Sequence, residues 1–128
     1  MNQGLTSRPR ILIIERDVDL QRRIARVLDA VYTVDLTSSG SLAMLLMKDY
    51  RYSCIVASTE LPNRHRGCGI LEALRGMPGG RYVPVVATMS EESAVEYGLA
   101  EGFATTVRLP SGIDAIEPVI ERVLKAHD

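Results

Sequence analysis

Short apolar runs alternate along the chain with stretches in which apolar residues recur every three or four positions, and these two periods predict different elements. Runs at residues 10–14, 32–36, 53–57, 83–87 and 105–108 predict five strands. Those with continuous β-branched content suit central strands covered on both faces. Asp17 is placed to cap a first helix. Its Leu20, Ile24, Val27 and Leu28 fall at i, i+4, i+7 and i+8 along one side, while Arg22, Arg23 and Arg26 take the other. Short second and third helices are predicted over about residues 41–49 and 68–75, the third stopped by Gly76 and Pro78. Thr88-Met89-Ser90-Glu91 reads as a capping box that opens a fourth helix ending near Gly102. The last helix spans about residues 114–126, with Ile116, Val119, Ile120, Val123 and Leu124 as its buried stripe. Pro118 is compatible with it because the first turn needs no amide donor there.

Strands alternating with helices are the mark of an α/β domain with a parallel sheet. Five βα units of this length fit a flavodoxin-like three-layer sandwich: a five-stranded parallel sheet in the order 2-1-3-4-5 with five helices. In such sheets function gathers at the carboxyl ends of the strands. That edge collects Glu15, Arg16 and Asp17 after the first strand, Ser58 and Glu60 after the third, Thr88 and Met89 after the fourth, and Leu109 after the fifth.

Composition narrows the function classes. At 128 residues the chain makes one domain, divided here into a flexible N-terminal segment at residues 1–9 and a folded domain at 10–128. Hydrophobic residues at 46% and charged residues at 24% describe a globular protein, neither disordered nor membrane-embedded. No apolar run approaches the roughly 20 residues of a spanning helix. The start has no apolar core behind a basic end, so a cytoplasmic location is expected. A net charge of -1 gives no long-range pull toward nucleic acid or an anionic membrane. Cys54 and Cys68 match no metal or redox spacing and are read as reduced thiols. No Gly-rich phosphate loop follows the first strand, and Gly79-Gly80 lies before the fourth, at the wrong end of the sheet.

Three stretches carry a family resemblance: Ile11-Leu12-Ile13-Ile14-Glu15-Arg16-Asp17, Cys54-Ile55-Val56-Ala57-Ser58-Thr59-Glu60-Leu61-Pro62, and Arg108-Leu109-Pro110. Together they resemble the receiver domain (CheY-like) of bacterial two-component response regulators, over about residues 10–126. The chemistry of that family needs a carboxylate to attack phosphorus, further carboxylates to hold Mg²⁺, and a lysine to pair with the product. A hydroxyl at the end of the fourth strand then follows the new phosphate and moves its loop.

The resemblance places Ser58 at the phospho-accepting aspartate, Glu15 and Arg16 at the acidic metal pair, and Leu109 at the lysine. The switch hydroxyl falls on Met89 counting from Pro84, or on Thr88 in a register one residue shorter. A serine hydroxyl is a poor nucleophile without an adjacent base. Arg16 opposes a divalent ion; its guanidinium is expected either to pair with Glu15, Asp17 or Glu60 at the surface or to fill the vacated metal position. Asp17 and Glu60 leave a residual acidic cleft. Asn63-Arg64-His65-Arg66 makes a longer, basic connection, so Arg64, His65 and Arg66 form either a solvated loop or a docking loop for an anion or acidic partner.

What the resemblance implies, with these departures, is a pseudo-receiver. It belongs to phosphorelay signalling, is not an enzyme, binds no cofactor, and has lost or weakened Mg²⁺ binding. It acts through a protein partner or a fused output domain. One alternative is a phosphorylatable regulator with Glu15, Asp17 or Glu60 as substitute acceptor, and another is a small-ligand or anion binder on the same sheet. Receivers commonly pair through the fourth helix, fifth strand and last helix, where this chain offers Glu92, Glu96, Tyr97, Glu101, Arg108, Glu117 and Arg122 for a homodimer. Direct nucleic-acid and membrane roles are not expected.

Overall fold

The computed structural model describes residues 8–93 and 102–127. In chain order these form β1 (Arg10–Ile14), α1 (Val18–Leu28), β2 (Thr33–Thr37), α2 (Gly40–Asp49), β3 (Cys54–Ser58), α3 (Gly69–Arg75), β4 (Val85–Ser90), β5 (Thr105–Leu109) and α4 (Ile116–Ala126). Short 3₁₀ turns at Asn63–His65, Pro78–Gly80 and Ile113–Ala115 join them. All strand pairs are parallel, in the order β2-β1-β3-β4-β5.

Side-chain alternation splits the core into two layers, because successive residues of a strand point to opposite faces. Leu12, Ile14, Ile55, Ala57, Val85 and Ala87 face α2 and α3, together with Ile70, Leu74 and Phe103. Ile11, Ile13, Cys54, Val56, Val86 and Val107 face α1 and α4, against Ile24, Leu28, Ile116 and Ile120. Every residue of β3 is buried, as expected for a central strand covered on both sides. Burial pushes the Cys54 thiol up to about 12, so this cysteine is an inert core group. Both cysteines are free.

Two expectations change. The sequence calls for five helices, and the described residues contain four; most of the expected fourth helix falls on 94–101, outside the described residues. Its opening is a correction, since Thr88, Met89 and Ser90 belong to β4, where Thr88 pairs with Ser58 and Ser90 with Leu109. Two neighbouring ladders outweigh the local capping pattern. The expected last helix begins with the 3₁₀ turn at Ile113–Ala115 before α4 takes over. Residues 1–7 also lie outside the described residues, while Arg8 and Pro9 are tied to the domain: Arg8 donates to the Asp29 carbonyl at 2.7 Å and Thr33 N–H to the Pro9 carbonyl at 3.0 Å.

The amino-terminal side of the sheet is fixed by a polar cluster. Arg10 Nε donates to Asp35 Oδ2 at 2.8 Å and the Tyr52 hydroxyl donates to the same oxygen at 2.7 Å. Burial pulls the Asp35 carboxyl upward, but the bonds from Arg10 and Tyr52 outweigh it and hold it below its ordinary value. A carboxyl lowered by folding contributes stability above its unfolded value and loses it as pH falls through the folded one. Denaturant titrations of native protein and Asp35→Asn should therefore show a stability gap at neutral pH that closes in acid; a gap independent of pH would contradict this role.

His65 packs against the start of α2. A Cβ added at Gly40 would overlap the His65 ring, which is buried. Gly40→Ala should cost about 1–3 kcal/mol by overpacking. Urea melts of Gly40→Ala, His65→Ala and the double variant should show that removing the ring relieves the clash; strictly additive losses would rule the contact out.

Candidate functional site

The carboxyl ends of β1, β3, β4 and β5 surround a cleft of about 200 Å³ lined by Glu15, Arg16, Asp17, Leu20, Ser58, Glu60, Thr88, Met89, Ser90 and Leu109. Every edge residue singled out in the sequence is present in it. Their bonding is the informative part.

Glu15, directly after β1, is 6% exposed. Its Oε2 accepts from Asp17 N–H at 2.9 Å, and its own carbonyl accepts from the Gln21 amide at 2.6 Å. Burial raises its carboxyl above the ordinary range; the Asp17 N–H opposes this, while the charges of Asp17 and Glu60 add to it. Asp17 caps α1, with Oδ1 accepting from Asp19 N–H at 2.9 Å and Leu20 N–H at 3.2 Å. Glu60 reaches across the cleft, and its Oε2 accepts from Ser90 N–H at the end of β4. All three carboxylates of the cleft are thus engaged by backbone N–H groups of this chain.

Ser58 is buried at the end of β3, and its Oγ accepts from Glu60 N–H at 3.0 Å. This local turn holds the hydroxyl oxygen against its own loop. Thr59, which the sequence did not single out, ties the same loop to β4: its N–H and its hydroxyl both donate to the Thr88 carbonyl, at 2.9 and 3.1 Å. Thr88 is the register partner of Ser58, and by alternation both lie on the α1 and α4 side. Met89 pairs with Arg108 and points to the other side. Both Thr88 and Met89 are buried and line the cleft. Leu109 is buried in the apolar layer beneath α1 and α4, and presents a hydrocarbon to the cleft.

Arg16 corrects one expectation. It is exposed at the cleft rim, and among the described residues it makes no ion pair with Glu15, Asp17 or Glu60. It neither fills a metal position nor neutralises the acids, in keeping with the raised carboxyl of Glu15. Asp17 and Glu60 each turn one oxygen to a backbone donor instead. His65 is a second correction: it is buried against Gly40, so the cations of the basic connection that face solvent are Arg64 and Arg66. Asn63 and Gly67, at φ of 62° and 57°, turn the chain so that Gly67 N–H reaches the Thr59 carbonyl at 2.7 Å and His65 is brought inward.

Further bonds join the loops of this edge. Glu91 Oε1 accepts from Ser111 N–H at 2.8 Å, and hydrogen bonds from the Ser111 side chain and then its backbone lower the Glu91 carboxyl. Arg108 donates to the carbonyls of Ser90 at 3.0 Å and Ser93 at 2.7 Å. Arg108 is therefore half-buried in the loop, whereas Glu92 and Arg122 are exposed and Glu117 is half-buried. Glu96, Tyr97 and Glu101 of the expected pairing face lie outside the described residues.

A divalent ion fits this set of donors poorly. Among the described residues no group of three His, Cys, Asp or Glu side chains is arranged to hold a metal. Each of the three carboxylates has one oxygen engaged by a backbone N–H, which leaves an ion only the other oxygen of each.

No protein-family model matches the chain. No curated protein matches it either. Solved structures do. The chemotaxis response regulator CheY4 of Vibrio cholerae superposes with a TM-score of 0.79 at 19% identity, over 91% of this chain and 99% of that one. A response regulator receiver protein from Burkholderia phymatum gives 0.76 at 25% identity, over 92% and 96%. The receiver domain of a sensor histidine kinase from Pseudomonas aeruginosa gives 0.80 at 22% identity, over 93% and 99%; its structure has a magnesium ion coordinated in the active site cleft. With five parallel strands in the order β2-β1-β3-β4-β5 and 96–99% of each of these proteins covered, the chain has the response-regulator receiver (CheY-like) fold.

Proposed function

We propose that this chain is an atypical receiver domain of two-component signalling that takes up no phosphoryl group at Ser58 and works by protein contact. The observation that supports this best is the engagement of Glu15, Asp17 and Glu60 by N–H groups of their own chain. Each of these carboxylates spends one oxygen on its own backbone, which leaves fewer lone pairs for a metal or for attack on phosphorus. The Ser58 oxygen accepts from Glu60 N–H, and a serine hydroxyl is a poor nucleophile unless a base takes its proton. Leu109 brings no cation to balance a phosphoryl group.

On this reading the loops of the edge are held in one arrangement by Glu60, Glu91, Thr59 and Arg108, with no ligand needed to order them. Information then passes through which partner docks, and not through a phosphate-driven change of loop population. The domain is neither an enzyme nor a cofactor protein. Within the described residues no helix is long and apolar enough to cross a membrane.

Two measurements test the proposal. Incubated with acetyl phosphate and Mg²⁺ and then weighed intact, the chain should gain no phosphoryl group; a stoichiometric gain mapping to Glu15, Asp17 or Glu60 would establish the substitute-acceptor alternative. Calorimetry with Mg²⁺ should show no saturable heat at millimolar concentrations for the native chain and binding for Arg16→Asp/Ser58→Asp, which returns two carboxylates to the rim. Binding by the native chain, or none by the double variant, would show that the acids are not limited in the way described.

A further inference from the structure

Opposite the cleft, the amino-terminal edge of the sheet carries a surface that phosphorelay chemistry does not use. Three adjoining depressions of about 670, 500 and 310 Å³ share Arg51 as a lining residue. Arg8, Arg10, Lys48 and Arg51 line them, and Asp49 is the one carboxylate among their described lining residues. Arg10 is answered by Asp35. Lys48 and Arg51 enter no ion pair or hydrogen bond among the described residues. On a chain of net charge -1, this is a local excess of cation concentrated at one edge.

Two tyrosine rings open onto the same edge. Tyr82 is 82% exposed and Tyr50 is 42% exposed. The Arg81 guanidinium lies 5.8 Å from the Tyr82 ring centre and that of Arg10 lies 4.1 Å from the Tyr50 ring centre. Exposed Tyr and Arg are the residue types that carry most interface binding energy, and unanswered cations select an anionic occupant. Pro9, Pro78 and Pro84 in the wall of the largest depression offer no N–H. An anion is therefore met there by side-chain cations and not by a backbone nest.

The geometry points to this edge as the docking surface for an acidic polypeptide segment of a partner protein, with carboxylates against Arg8, Lys48 and Arg51 and an apolar side chain against Tyr82. A nucleic-acid strand is disfavoured, since it needs many neutralising contacts while this patch is short, interrupted by Asp49 and set on a weakly acidic chain. The inference rests on the proposal that the domain works by contact, but its failure would leave the loss of phosphotransfer standing, because Mg²⁺ and phosphodonor measurements read the opposite edge.

The test is fluorescence anisotropy of the full chain with three labelled probes: a peptide of Glu-Glu-Leu repeats, its Gln-for-Glu counterpart, and an oligouridylate of similar length. Saturable binding of the Glu-Glu-Leu peptide is expected, weakening with added salt. It should fall roughly tenfold or more in Lys48→Glu/Arg51→Glu, and several-fold in Tyr82→Ala. Arg64→Glu/Arg66→Glu, at the other end of the sheet, should leave it unchanged. All these residues are exposed, so folding is expected to survive. Absence of saturable binding, equal loss in the Arg64/Arg66 variant, equal binding of the Gln peptide, or preference for oligouridylate would each overturn the inference.

Discussion

Backbone N–H groups at the carboxyl edge of the sheet find their acceptors in the chain's own carboxylates, and the character of the cleft follows from that. Asp17 closes the start of α1, Glu15 folds back on Asp17 N–H, and Glu60 crosses from the β3 loop to the end of β4. Each bond satisfies a donor that would otherwise look for water, a metal-bound oxygen or a phosphoryl group. Hydrogen bonds to a charged acceptor contribute roughly 1.5–3 kcal/mol, with exposed ones at the low end. A divalent ion entering the cleft would find one oxygen of each acid already engaged and Arg16 exposed at the rim.

The scaffold does not depend on that edge. Both apolar layers are built mainly from residues below it, with Leu12, Ile55 and Val85 on one side and Ile13, Val56 and Val86 on the other, although Leu109 of the cleft also belongs to the second layer. Exposed Arg16 can therefore vary without disturbing the sheet order or its covering helices. The chain superposes on receiver structures at TM-scores of 0.79 and 0.80. The same separation leaves the amino-terminal edge, with Arg51, Lys48 and Tyr82, free to carry an interaction of its own.

What the sequence made legible was what local pattern encodes. The heptad-like stripe of α1 and its Asp17 cap, the strand at Arg10–Ile14 and the buried stripe of α4 came through with their boundaries nearly intact. The alternation of apolar runs and helical stripes pointed to a parallel α/β sheet, the fit to a flavodoxin-like fold supplied its strand order, and the strand ends gave the membership of the cleft. Features that depend on distant partners were not legible. Thr88-Met89-Ser90 resembles a helix start until β3 and β5 pair with it. His65 looks like part of a basic surface until a glycine across the fold, Gly40, leaves space for its ring. Arg16 looks like the natural neutraliser of three acids until those acids turn to backbone donors. Gln21, Thr59 and Ser90 hold the edge together through hydrogen bonds that leave no periodic trace in the sequence.

The most direct measurement of this account is residue-level NMR of the backbone amides at the carboxyl edge. Amide signals of Asp17, Leu20, Glu60 and Ser90 should keep their positions when Mg²⁺ and beryllium fluoride, a phosphoryl analogue, are added together to the native chain. Saturable shifts of those amides would show that the carboxylates release their own backbone for a metal and an anion, and would contradict the account at its centre.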